Sequence, residues 1–170
     1  MRWLVERGED INAEDAFGRR PLHTRVWQPD QIPLLLELGA AVNATCHKSE
    51  TPLHTAVAYH REQATDALLA GGADPTLLST DLDQKFSLIT HAIWRCRWHE
   101  LHDALPWVER CWELGARPTG TETEVLERIQ HRRALESKGQ PDTDVARRRG
   151  AEYEAAVEEL VSRYGITRPA

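Results

Sequence analysis

Cysteine is scarce: Cys46, Cys96 and Cys111 are the only three in 170 residues. They are too few and too scattered for a disulfide framework, so reduced thiols are expected. Long apolar runs are also missing. Mean hydropathy is −0.55, and no segment approaches the roughly 20 apolar residues a membrane span needs. Arg2-Trp3-Leu4-Val5 follows Met1 directly, without the apolar core of a secretory leader. A cytoplasmic location is the resulting expectation. Basic charge is in deficit, with 21 Lys and Arg against 27 Asp and Glu, a net charge of −6. Nucleic-acid binding needs a basic face, so this balance argues against it as the main role. Catalytic signatures are absent: there is no G-x-S-x-G, no phosphate-cradling glycine loop and no H-E-x-x-H. Cys46-His47 is adjacent in sequence but sits at a turn, where no pocket is expected. The chain therefore reads as a non-enzyme without a cofactor or a metal.

What the chain has is repetition. Glu6-Arg7-Gly8-Glu9-Asp10-Ile11-Asn12, Glu37-Leu38-Gly39-Ala40-Ala41-Val42-Asn43, Ala70-Gly71-Gly72-Ala73-Asp74-Pro75-Thr76 and Glu113-Leu114-Gly115-Ala116-Arg117-Pro118-Thr119 align without gaps. Their glycines fall 31, 33 and 43 residues apart. A period near 33 is the mark of a helical repeat array. A second marker is phased against the first. Arg20-Pro21-Leu22-His23 and Thr51-Pro52-Leu53-His54 both begin 12 residues after their preceding glycine. Ser87-Leu88-Ile89-Thr90-His91-Ala92 is a weaker third copy.

These motifs resemble the ankyrin repeat, whose signature T-P-L-H-x-A opens the first of two short helices. Asn12 to His23 follows the family's N-A-x-D-x-x-G-x-T-P-L-H almost throughout, with Arg20 where Thr is usual. The resemblance covers about residues 3–119 and implies an all-α solenoid. The expected organisation is a partial repeat over 1–12, then repeats over 13–43, 44–76 and 77–119. A C-terminal helical hairpin over 120–170 would cap the last of them.

Local patterns fill in this outline. Asp30 is a candidate N-cap for a helix to Leu38, and Thr51 for a helix from Pro52 to about His60. A further helix is expected over Glu62–Ala70. The third repeat is distorted, its second helix starting at Asp103 or Pro106. Thr121 or Thr123 opens a helix through Ser137, Lys138-Gly139-Gln140-Pro141 stops it, and Asp142 or Thr143 opens the last. Tyr153, Val157, Leu160, Val161 and Tyr164 form an apolar stripe at helical spacing.

The resemblance implies that His23 and His54 stiffen their turns through backbone hydrogen bonds. It also implies a concave binding strip made of turn tips and first-helix ends. Mapped onto this chain, the partner-binding candidates are Phe17, Arg19, Trp27, His47, Lys48, Glu50, Tyr59, His60, Trp94 and Arg95. Aromatic and Arg side chains among charges match the make-up of interaction hot spots. The expected partner is another protein, held by a monomer. The Arg-, Ala- and Trp-rich usage reads as bacterial, which suggests an effector or a partner-neutralising protein. Two alternatives stand beside this reading. The Tyr153–Tyr164 stripe could mediate oligomerisation. Cys96, His99 and His102 could hold a catalytic metal, although their spacing spreads them widely around a helix. Arg128, Arg132, Arg133, Lys138, Arg147, Arg148 and Arg149 make a basic region at the hairpin bend that could meet nucleic acid or an acidic protein surface; the simpler reading pairs it with local glutamates, Glu122 among them, on solvated faces.

Overall fold

The computed structural model describes residues 8, 10–97, 100–136 and 143–168. They form two compact units, Met1–Gln84 and Lys85–Ala170. The division expected between residues 119 and 120 falls inside the second.

Among its described residues the first unit contains two helix pairs. Helices α1 (Pro21–Arg25) and α2 (Ile32–Glu37) make the first pair, joined through a 3₁₀ turn over Pro29–Gln31. Helices α3 (Pro52–Ala58) and α4 (Glu62–Ala70) make the second. Pro21 and Pro52 each take the first helical position, where a missing N–H costs nothing and a fixed φ helps. The pairs stack in register: α1 packs on α3, and α2 on α4. Leu22, Val26, Ile32, Leu35, Leu53, Val57 and Leu68 form the core between them, each at most 1 % exposed.

Each repeat unit ends on a glycine in the left-handed region. Gly8, Gly39, Gly72 and Gly115 have φ between +86° and +98°, a conformation that costs other residues a steric penalty. The asparagine closing one unit then clips onto the next. Asn12 Nδ2 donates to the Gly39 carbonyl at 3.1 Å, and its Oδ1 accepts from Ala41 N at 2.8 Å. Asn43 repeats this on Gly72 (3.3 Å) and Asp74 (2.9 Å).

After α4 the chain forms a short hairpin, β1 (Ser79–Asp81) and β2 (Gln84–Phe86). This strand pair is a small departure from the all-helical expectation. The second unit follows as α5 (Leu88–Trp94), α6 (Leu101–Glu113), α7 (Thr121–Glu136) and α8 (Asp144–Tyr164). Here α5 packs on α6 and α7, and α6 on α8. The adjacency of the first unit recurs, with α7 and α8 in the places of a following helix pair.

Several expectations need correction. Asp30 caps nothing, because it lies within the 3₁₀ turn and α2 starts two residues later. The first helix of the second repeat stops at Ala58 rather than His60. Helix α6 begins at Leu101, with Pro106 inside it. The apolar stripe is not a free surface. Tyr153, Val157, Leu160 and Tyr164 are buried, and their helix covers α6. Oligomerisation through that stripe would have to expose the core of the second unit. The opening stub Trp3 to Arg7 and the stop signal at 138–141 lie outside the described residues.

Candidate functional site

The two motif histidines occupy equivalent settings. His23 Nδ1 accepts from Arg20 N at 3.1 Å, and its Nε2 lies 3.0 Å from the Glu50 carbonyl. His54 Nδ1 accepts from Thr51 N at 3.1 Å, with Nε2 3.1 Å from the Leu77 carbonyl. This pattern assigns the proton to Nε2 in both rings. Each neutral imidazole therefore ties the start of its helix to the backbone of the following turn. Burial lowers both pKa values, that of His54 to about 4. Thr51 adds the expected N-cap, its hydroxyl accepting from His54 N at 3.4 Å.

The third motif copy solves the same problem differently. Ser87 caps α5, its hydroxyl accepting from Thr90 N at 3.2 Å. Thr90 stands at the histidine position and is too short to reach a following turn. Glu122 fills the gap. It is fully buried, accepting from the Ser87 and Thr90 hydroxyls and from Thr119 N (3.0 Å) and Gly120 N (2.9 Å). Glu122 is thus a buried acceptor tying α5 to the start of α7, not one of the solvated glutamates. A serine and a threonine in place of T-P-L-H were the only hints of an unusual partner.

The turn tips of the first unit are locked to one another through backbone. His47 N donates to the Phe17 carbonyl at 3.1 Å, and Thr80 N to the Lys48 carbonyl at 2.9 Å. Gly18 permits the first contact: a Cβ there would come within 2.5 Å of the His47 ring. On this frame Phe17 is 64 % exposed, with the Arg19 guanidinium 5.0 Å from its ring centroid. Arg19 is also paired with Asp15 at 2.8 Å. Lys48 is paired with Asp81 at 2.8 Å, and that hydrogen bond raises the lysine pKa. Glu50 is half-buried, and desolvation raises its pKa. Leu82, absent from the expected surface, is 93 % exposed at the hairpin tip.

The first-helix ends form a second cluster. Trp27 and Tyr59 meet edge to face with centroids 4.6 Å apart. The Arg61 guanidinium lies 4.2 Å from the Trp27 centroid. Trp27, His60 and Arg61 line a hollow of about 380 Å³. Trp94 and Arg95 belong to the second unit, where Trp94 packs edge-on to Phe86 at 5.4 Å and under Arg128 at 4.5 Å.

The metal alternative finds little support in this geometry. His99 lies outside the described residues. Cys96 is buried with its thiol 3.6 Å from the Ala92 carbonyl, and burial pushes its pKa up to about 12. His102 is turned to Asp103 at 3.1 Å. Among the described residues no three His, Cys, Asp or Glu side chains converge.

The repeating glycine turns, the histidine ties and the paired helices meet in one finding: a family model for ankyrin repeats, in three copies, matches residues 1–79. Residues 1–79 are ankyrin repeats. Ankyrin repeats generally mediate protein–protein interaction. Similar curated proteins include human BCL-6 corepressor-like protein 1, 39 % identical over 77 residues, which are 44 % of this chain and 4 % of that protein. The chicken nuclear factor NF-kappa-B p105 subunit is 39 % identical over 80 residues, 44 % of this chain and 8 % of that protein. Fowlpox virus (strain NVSL) ankyrin repeat protein FPV233 is 46 % identical over 56 residues, 31 % and 11 % of the two chains. The chain spans about a tenth or less of each of these three relatives. These relatives are eukaryotic and viral, so the bacterial reading gains no support from them. Among the described residues no helix is long and apolar enough to cross a membrane.

Proposed function

We propose that this chain is a non-catalytic module that holds a partner protein against the turn tips and first-helix ends of its repeats. The binding surface of the first unit comprises Phe17, Arg19, His47, Lys48 and Glu50 at the tips, with Trp27, Tyr59 and His60 at the helix ends. Trp94 and Arg95 offer the corresponding surface of the second unit. The observation that carries this reading is Phe17, a large apolar ring left 64 % exposed on a tip whose backbone is pinned to the next one. A pinned tip loses little conformational freedom on binding, so shape already present contributes directly to affinity. Such a module acts by occupying its partner, as an effector or a neutralising protein does.

We further propose that residues 77–119 make an irregular repeat and that α7 and α8 cap it. The repeated helix adjacency and the role of Glu122 at the histidine position support this. The surface is tested by affinity capture with the wild type and a Phe17/Trp27/Tyr59 triple alanine variant. Loss of specific partners by the variant is expected; equal recovery overturns the assignment.

A further inference from the structure

The hollow beside Trp27 has a composition the tips lack. Val26 is buried beneath it, Trp27 and Pro29 form one side, and His60, Arg61 and Gln63 form the other. The Arg61 guanidinium carbon lies 4.2 Å from the Trp27 ring centroid, within guanidinium–ring contact. A ring contact of this kind consumes no N–H···O hydrogen bond, so the guanidinium donors stay available. Among the described residues the Arg61 side chain meets no carboxylate and no carbonyl, its ring contact aside. Arg19, Arg20, Arg133, Arg148 and Arg163, by contrast, each hold an Asp or Glu. His60 precedes Arg61 with φ +51°, an uncommon conformation for a residue with a side chain. It turns the chain so that Arg61 follows at once as the N-cap residue of α4.

The charges around the hollow narrow what it accepts. Arg61 offers one fixed cation with paired donors, the geometry that suits a carboxylate held through two hydrogen bonds. Glu62 also lines the hollow and opposes negative charge there, so Arg61 can offset at most one carboxylate. The chain as a whole carries −6, which opposes polyanions. We infer that the hollow docks a single Asp or Glu side chain of the partner protein on Arg61, with a neighbouring apolar side chain of that partner laid against Trp27. This inference rests on the binding surface proposed above and adds the chemistry of one contact.

The probe is acetyl-Asp-Leu-amide, titrated into the full chain while the Trp27 indole and Arg61 Nε resonances are followed by ¹⁵N NMR. Both resonances should shift saturably, and acetyl-Asn-Leu-amide should bind about tenfold more weakly. Arg61→Gln should abolish the shift at Trp27 while the rest of the spectrum stays in place. Arg61→Lys, which keeps the charge but not the planar fork, should fall between. Equal binding of the two peptides, no shift at all, or shifts that persist in Arg61→Gln overturn the inference. So does sulfate at matched ionic strength moving the same resonances as strongly, since the hollow would then be a general anion site. A null titration alongside capture lost in the triple alanine variant removes the carboxylate contact and keeps the surface. Unchanged capture removes the surface itself.

Discussion

His54 makes the stability of the first unit depend on pH. Its folded pKa is about 4, against about 6.5 for an unfolded histidine. The unfolded chain therefore takes up a proton first as pH falls. The stability His54 supports is fully present above pH 6.5 and is lost between there and about pH 4. Urea midpoints should drop over that window, and His54→Asn should flatten the drop while lowering stability at pH 7. Glu122 makes a different prediction. Its carboxylate accepts four hydrogen bonds in a fully buried site. Glu122→Gln turns one oxygen into a donor and strands some of those partners. A loss of roughly 2–3 kcal/mol is expected in chemical denaturation. Neither magnitude was visible in the residue string. The recurring histidine pointed to a structural role, whereas Glu122 looked like any other glutamate on a charged helix. Only folding brings Ser87 and Thr90 to a carboxylate more than thirty positions away.

At the level of single elements, legibility followed local chemistry. Thr51, Pro52 and the Glu62–Ala70 helix were readable because caps, proline at the first position and helix-forming residues agree there. Asp30 misled because Pro29 and Pro33 flank it, and the chain relieves that crowding with a 3₁₀ turn before α2 begins. The hairpin went unread for a similar reason. Its two-residue turn, Leu82-Asp83, has φ of +46° and +68°, where Asn-Gly is the usual signal. Leu82 thus adopts a left-handed backbone with its side chain in solvent. Replacing the pair by Asn-Gly should stabilise the chain by about 1 kcal/mol, seen as a raised melting temperature. A fall instead would mean that Leu82 has packing contacts not evident in its exposure.

For the molecule as a whole, the repeat period conveyed the stacked helix pairs of the first unit, while caps, a stop signal and apolar spacing conveyed the C-terminal helix pair. None of these conveyed which way the last helix faces. The Tyr153–Tyr164 stripe has the same spacing whether it meets another chain or its own core, and periodicity alone cannot separate the two. In the folded chain Leu160 is fully buried while Leu135, on α7, is 52 % exposed. Leu160→Ala should cost about 2–5 kcal/mol, and Leu135→Ala less than about 0.5 kcal/mol. Comparable losses at both sites would contradict the packing of α8 on α6.

Asn12 and Asn43 grip only main-chain atoms of the unit ahead of them. Such a fastener is blind to the side chains it joins, so exchanges at exposed Phe17, His47 or Trp27 leave the spacing between neighbours undisturbed. The molecule keeps its ruler and its lettering in separate places, and drift in one leaves the other legible.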